Sequence, residues 1–162
     1  MMKAQSGFTL VEILIVVVIL GILAAIVIPQ FTEASTEAKL SSLCTDLQTL
    51  RSQIELFKVQ HNDVAPTLAN FLAQMTETSD ILGATSGSKV RDAAHPYGPY
   101  LQKIPVNQFN DMKDALGNGL LVVLGAVPDD AGSWAYDETT GVIRADDIYD
   151  KDGNPGADHW NL

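Results

Sequence analysis

The chain opens with a stretch in which polar positions almost vanish. From Phe8 to Ile28, 21 residues, the only charged side chain is Glu12. A helix of that length rises about 31 Å, at about 1.5 Å per residue, which is the thickness of a bilayer's hydrocarbon core. The pattern then changes. Leu40, Leu43, Leu47, Leu50, Ile54 and Phe57 recur at alternating spacings of three and four, with Ser41, Asp46, Gln48, Arg51, Gln53 and Lys58 between them. That spacing predicts an amphipathic helix with one apolar stripe. Three heptads are short for a free coiled coil, so the stripe is expected to pack on a sheet from the rest of the chain. One helix is expected from Phe8 to about Gln60, with Pro29 either a bend within it or a boundary at the membrane surface.

Beyond Gln60 the pattern is less regular. LANFLAQMTE (68–77) predicts a short helix with Leu68, Phe71, Leu72 and Met75 on one side. Residues 83–99 hold five glycines or prolines and read as loop, and residues 98–110 as an extended segment tucked inward by Tyr100, Leu101 and Ile104. GLLVVLGAV (119–127) is β-branched and apolar, which predicts a buried central strand. SWAYD and GVIRA alternate across Glu138-Thr139-Thr140, with Gly141 free to take positive φ, and predict a hairpin. Trp134 and Tyr136, two apart, would share one face. The expected fold is α+β, a long helix packed on a small antiparallel sheet.

Charge adds a direction. Lys3 and the amino terminus precede the apolar run, whereas Glu33 and Glu37 follow it, so the positive-inside tendency puts the N-terminus in the cytoplasm. A secretory signal peptide is the competing reading, but its apolar core is only about 7–15 residues long and ends in a small-residue cleavage site. Here Ala24-Ala25 is followed by more apolar residues. The other end is acidic: residues 129–162 contain nine Asp or Glu against Arg144 and Lys151, a net of −7 out of −10 for the chain. Asp150, Asp152 and Asn154, with Asp158 beyond, place oxygen ligands at calcium-like spacing, with Asp146 and Asp147 as alternative contributors. The EF-hand pattern is not met, because Gly153 comes early and Asn161 stands at the twelfth position. The bland alternative is a solvated acidic tail.

Other chemistries find little support. GATSGSK (83–89) has three residues between its glycines and a serine before the lysine, so it is not a phosphate loop. No G-x-S-x-G, H-E-x-x-H or paired-cysteine motif occurs. His61, His95 and His159 are far apart and read as surface residues; no enzymatic site is expected. A net acidic external domain disfavours nucleic acid. Cys44 stands alone, so no intrachain disulfide forms, and its place beside Leu43 and Leu47 reads as a small buried apolar group.

GFTLVE (7–12) followed by an uninterrupted apolar helix resembles the N-terminal segment of type IV pilins and type II secretion pseudopilins. The resemblance covers about the first fifth of the chain. It implies a pilin-like fold and a leader, residues 1–7, removed by a prepilin peptidase between Gly7 and Phe8, with N-methylation of Phe8. Removing seven of 162 residues leaves 155. Residues 8–30 would be the membrane and filament-core helix. Residues 31–162 would form the external domain: helix 31–60, variable loops 61–118, sheet 119–145 and acidic tail 146–162. A carboxyl in hydrocarbon needs a partner. The resemblance supplies one for Glu12, the new Phe8 amine of a neighbouring copy, while a glutamate that snorkels to the headgroups is the plainer reading. Gly21 and Pro29 stand where such helices bend. Tyr100-Leu101 before Ile104-Pro105 and WAYDETTGVIRADD also resemble pseudopilins, although Val106-Asn107-Gln108-Phe109 replaces the Asp-Pro-Trp-Gly of the major ones.

The implied function is a structural filament subunit, rather a type II secretion pseudopilin supporting protein export than a type IV pilus pilin of adhesion, motility or DNA uptake. The implied location is the bacterial inner membrane. The implied partners are copies of itself, minor pseudopilins, the peptidase, an inner-membrane assembly platform and the bilayer. No cofactor is required, and structural calcium in the tail is optional. A non-polymerising, membrane-tethered binding module is the reading from another class.

Overall fold

A computed structural model describes residues 8–110, 112, 114–119, 121–123 and 131–146 of the chain. Its dominant element is α1 (Leu10–Gln60), which contains Pro29 in its interior rather than at its end. Two compact units divide the chain, one through Thr36 and one from Glu37 onward.

In the first unit the large apolar side chains are exposed among the described residues. Val27, the least exposed of the large ones between Phe8 and Phe31, is still 41% exposed. A run rich in Val and Ile is a mediocre helix former in water, but in hydrocarbon every backbone polar group must be satisfied within the segment, and a helix does that. Among the described residues α1 is the one helix long and apolar enough to cross a membrane. Beyond Pro29, Thr32 Oγ1 donates to the Ile28 carbonyl (2.9 Å) and Thr36 Oγ1 to the Thr32 carbonyl (3.1 Å).

The second unit is built on the stripe. Leu43, Leu47, Leu50, Ile54 and Phe57 are all buried, each stabilising by about 1.5–3 kcal/mol before entropy is counted. They meet Phe71 and Met75 of α2 (Phe71–Thr76), which follows a 3₁₀ turn at Leu68–Asn70, and Ile104 of the extended segment. The rest of the core is Trp134, Tyr136, Ile143 and Ala145 from β2 (Trp134–Asp137) and β3 (Val142–Ala145). These two strands pair antiparallel across a turn where Gly141 has φ +76° and donates its N–H to the Asp137 carbonyl. The expected antiparallel hairpin is therefore present.

The sheet is wider than that hairpin in an unexpected way. β1 (Leu121–Val123) joins β2 in parallel, and the order is β1-β2-β3. Among the described strands the segment expected to be central thus lies at an edge, and the central strand is β2. An alternating apolar pattern specifies a strand's buried face but not its neighbour or direction, and here Trp134 decides. Its indole Nε1–H donates to the Pro105 carbonyl (2.7 Å), which locks β2 under the extended segment. Gly119 lies against the same place: a Cβ there would be 2.0 Å from the Pro105 carbonyl oxygen and 2.8 Å from Trp134 Nε1.

Candidate functional site

The start of α1 carries the residues singled out for assembly. Thr9 and Glu12 form a reciprocal cap. Glu12 Oε2 accepts the Thr9 N–H (2.8 Å) and the Thr9 hydroxyl (2.7 Å), while the Glu12 N–H donates to Thr9 Oγ1 (3.3 Å). This is a capping box, in which a Thr and a Glu three residues apart satisfy orphan N–H groups of the first turn. The Thr-x-x-Glu spacing before an apolar run was the available signal, and reading Glu12 only as a lone acid misses it. Among the described residues Glu12 Oε1 takes no hydrogen bond, so one carboxylate oxygen stays open. Phe8, the residue before the cap, is 83% exposed.

The other candidate residues separate from this site. Gly21 has open space around it, with nothing within 4 Å of an added Cβ, and Pro29 lies within α1. Gly7 and the leader lie outside the described residues, as do Asp147 and the tail ligands Asp150, Asp152, Asn154 and Asp158. Asp146 is buried and structural: its Oδ2 accepts the Gly132 N–H (3.0 Å), its own N–H donates to the Ser133 carbonyl (3.1 Å), and Asn110 Nδ2 donates to its carbonyl. Among the described residues no group of three or more His, Cys, Asp or Glu could hold a metal ion.

Two side chains stand differently from expectation. Cys44 is exposed, not buried, because one residue along a helix is a turn of about 100°, which takes it off the face that Leu43 and Leu47 share. His61 is a core residue, not a surface one, at 2% exposure. Its ring stacks on Phe57 with centroids 3.8 Å apart and planes 10° from parallel. Nδ1 lies 2.8 Å from the Phe57 carbonyl, which can only accept, so Nδ1 carries the proton. Nε2 then accepts from the Ser79 hydroxyl at 3.0 Å. Ser79 in turn exchanges backbone hydrogen bonds with Tyr97, so His61 ties the helix end to the 79–97 loop. Tyr100 closes the same cluster: its hydroxyl donates to Gln60 Oε1 (2.6 Å), and burial pushes its pKa up to about 12.

Residues 2–28 match the model of the prokaryotic N-terminal methylation motif. The chain is 30% identical over 136 residues to the type II secretion system core protein G of Pseudomonas aeruginosa, covering 81% of this chain and 90% of that one. It is 31% identical over 117 residues to the type II secretion system core protein G of Vibrio cholerae, covering 72% and 69%. A fimbrial protein of Pseudomonas aeruginosa is 44% identical over 54 residues, about a third of each chain. No solved structure matches the chain significantly.

Proposed function

Because this chain belongs to the family of type II secretion system core protein G, we propose that it is the repeating subunit of a pilus-like filament that supports protein export from the inner membrane. The observation that carries the reading is the pairing of a 21-residue apolar run, exposed among the described residues, with a single carboxylate at its start. An exposed apolar helix must be covered by lipid before assembly and by other copies after it. Cleavage between Gly7 and Phe8, with N-methylation of Phe8, creates a cation four residues before Glu12. The Thr9 cap gives Glu12 Oε2 a partner within one copy, and Oε1 is the oxygen that a neighbouring copy's Phe8 amine would meet. Such a pair sets register more than it adds stability. Lys3 before the run and Glu33 and Glu37 after it support an N-in orientation, with the external domain across the membrane. Other pseudopilins, a prepilin peptidase and an assembly platform are the partners this reading requires. The work of extraction falls to an ATPase elsewhere.

The likeness to a fimbrial protein favours a second reading as a type IV pilus pilin. It spans only a third of either chain, against 81% and 90% for the secretion protein, so the secretion reading is preferred. For the tail, the oxygen spacing of Asp150, Asp152, Asn154 and Asp158 suits calcium. A melting temperature that rises with calcium and falls with chelator is expected, and one that chelator leaves unchanged removes the metal.

Two variants at one position test the assembly site. Glu12→Gln keeps the capping box and removes the charge; Glu12→Ala removes both. Both are expected to insert, fold and lose filaments seen by electron microscopy. If Glu12→Gln polymerises like the parent chain, the ion pair is wrong and Glu12 is only a cap. Mass spectrometry of the mature N-terminus checks the processing, with N-methylated Phe8 expected.

A further inference from the structure

Two charge couples of one kind lie along α1. At its start the proposed processing sets a cation on Phe8, four residues before Glu12. Near its end Arg51 and Glu55 repeat that order at that spacing. The Glu55 side chain is 63% exposed, and its Oε1 accepts from Lys58 Nζ one turn on (3.0 Å). Among the described residues its Oε2 accepts no hydrogen bond, so Glu55, like Glu12, keeps one oxygen open. Arg51 is held against the sheet, because its Nη2 donates to the Ile143 carbonyl of β3 (3.3 Å). Arg144 of the same strand is close enough to repel it. Burial, and then that repulsion, lowers the Arg51 pKa. Two guanidiniums brought together on a chain of net charge −10 make a seat for an acid.

We propose that Arg51 and Arg144 receive Glu55 of a second copy of this chain, an external ion pair in the register that joins Glu12 to the Phe8 amine. The inference rests on the filament reading and adds to it a contact outside the membrane. Parallel copies that stack along α1 are shifted by the same amount over its whole length. A shift of four residues, about 6 Å along a helix, sets one copy's Glu12 level with its neighbour's Phe8. The same shift sets that copy's Glu55 level with the neighbour's Arg51, so one neighbour receives both acids. Glu37 comes level with the neighbour's Glu33 as well, which is a like-charge couple. Both of those glutamates are exposed, where salt screens their repulsion. The Arg51 head group is partly withdrawn from water against β3, so its attraction for an acid is screened less. The attraction therefore outweighs the repulsion in this register.

Mixing two complementary variants tests it, with full-length chains in cells that assemble the parent. Arg51→Glu makes one chain acidic at both positions, and Glu55→Arg makes another basic at both. Alone, each sets like charges between copies and should give about fivefold fewer filaments by electron microscopy. Mixed, each chain's position 55 faces the opposite charge at position 51 of the other. Filament number should then return to the parent's, with both chains found in the filaments by mass spectrometry. A clash within one copy would not be relieved by mixing. Either variant polymerising alone like the parent overturns the proposal, and so does a mixture no better than its components. Should the parent form no filaments at all, the filament reading fails first and takes this inference with it. A second readout avoids charge reversal. On a Cys44→Ser background, chains with Arg51→Cys are mixed with chains carrying Glu55→Cys and oxidised in assembled filaments. A disulfide from position 51 of one chain to position 55 of the other is expected. Products joining only like positions, or none, overturn the pairing.

Discussion

The two halves of α1 share one backbone conformation and live by different rules. Between Leu10 and Phe31 the helix is apolar all round apart from Glu12 and Gln30, and every large apolar side chain is open. Between Leu43 and Phe57 only a stripe is apolar, and that stripe is fully buried by the chain's own sheet and loops. A helix apolar on every side has no preferred partner face, so its environment must be apolar on every side too. A striped helix names its partner, because one face must find a complementary surface. Secondary structure alone therefore says nothing about what a segment binds; the angular spread of its apolar residues does.

The largest predicted effect follows directly. Phe57→Ala removes a buried ring that stacks on His61 and meets Tyr100 edge-on, and it should cost about 3–5 kcal/mol of external-domain stability. Leu20→Ala, the same kind of truncation on the open half, should change that stability by less than about 0.5 kcal/mol. Denaturant unfolding of the full chain in detergent, followed by tryptophan fluorescence, compares the two. Similar losses would break the distinction between the halves.

Glycines sharpen it at a lower amplitude. At Gly119 an added methyl would collide with the Pro105 carbonyl and Trp134, so Gly119→Ala should cost about 1–3 kcal/mol in the same assay. At Gly21 it meets nothing, and Gly21→Ala should leave the domain's unfolding unchanged while favouring the helix by up to about 1 kcal/mol. A filament defect in Gly21→Ala with normal unfolding would then locate that glycine's importance in contacts between copies or in helix bending.

How far these features were legible in the sequence depends on how local their causes are. The stripe from Leu40 to Phe57 was legible because spacings of three and four need no knowledge of the partner. Gly141 marked the β2–β3 turn, since few other residues accept φ +76°. His61 sits four residues after Phe57 and so extends the stripe, but its polarity hid that; only Ser79 and the Phe57 carbonyl make its burial affordable. Cys44 was misplaced by the opposite error, adjacency in sequence taken for adjacency in space. The edge position of β1 and its parallel pairing depend on contacts far apart in the chain, which periodicity does not encode. At the start of α1, Glu12 was legible as an anomaly of charge, whereas its bond to Thr9 required the geometry of a helix start.

The smallest effect concerns acid, and it belongs to the second region alone. Asp137 ends β2, and its carboxylate gathers the Thr139 hydroxyl and N–H and the Thr140 hydroxyl (2.6, 2.9 and 2.7 Å). Those hydroxyl bonds, with the backbone bond behind them, hold its pKa down at about 2, against 3.8 for the free side chain. A folded-state pKa below the unfolded one contributes stability that is present above about pH 4 and lost as pH falls toward 2. Asp92 and Asp114 are lowered as well, through N–H groups of His95 and Asn118, so the acid limb has more than one source. Asp137→Asn should make unfolding midpoints fall less steeply between pH 4 and pH 2, without removing the slope. Leu20→Ala should leave that slope as it is in the parent chain. An unchanged slope in Asp137→Asn would mean that the turn's hydroxyls do not favour the charged carboxylate, and that the β2–β3 hairpin is held by its strand pairing and Gly141 alone.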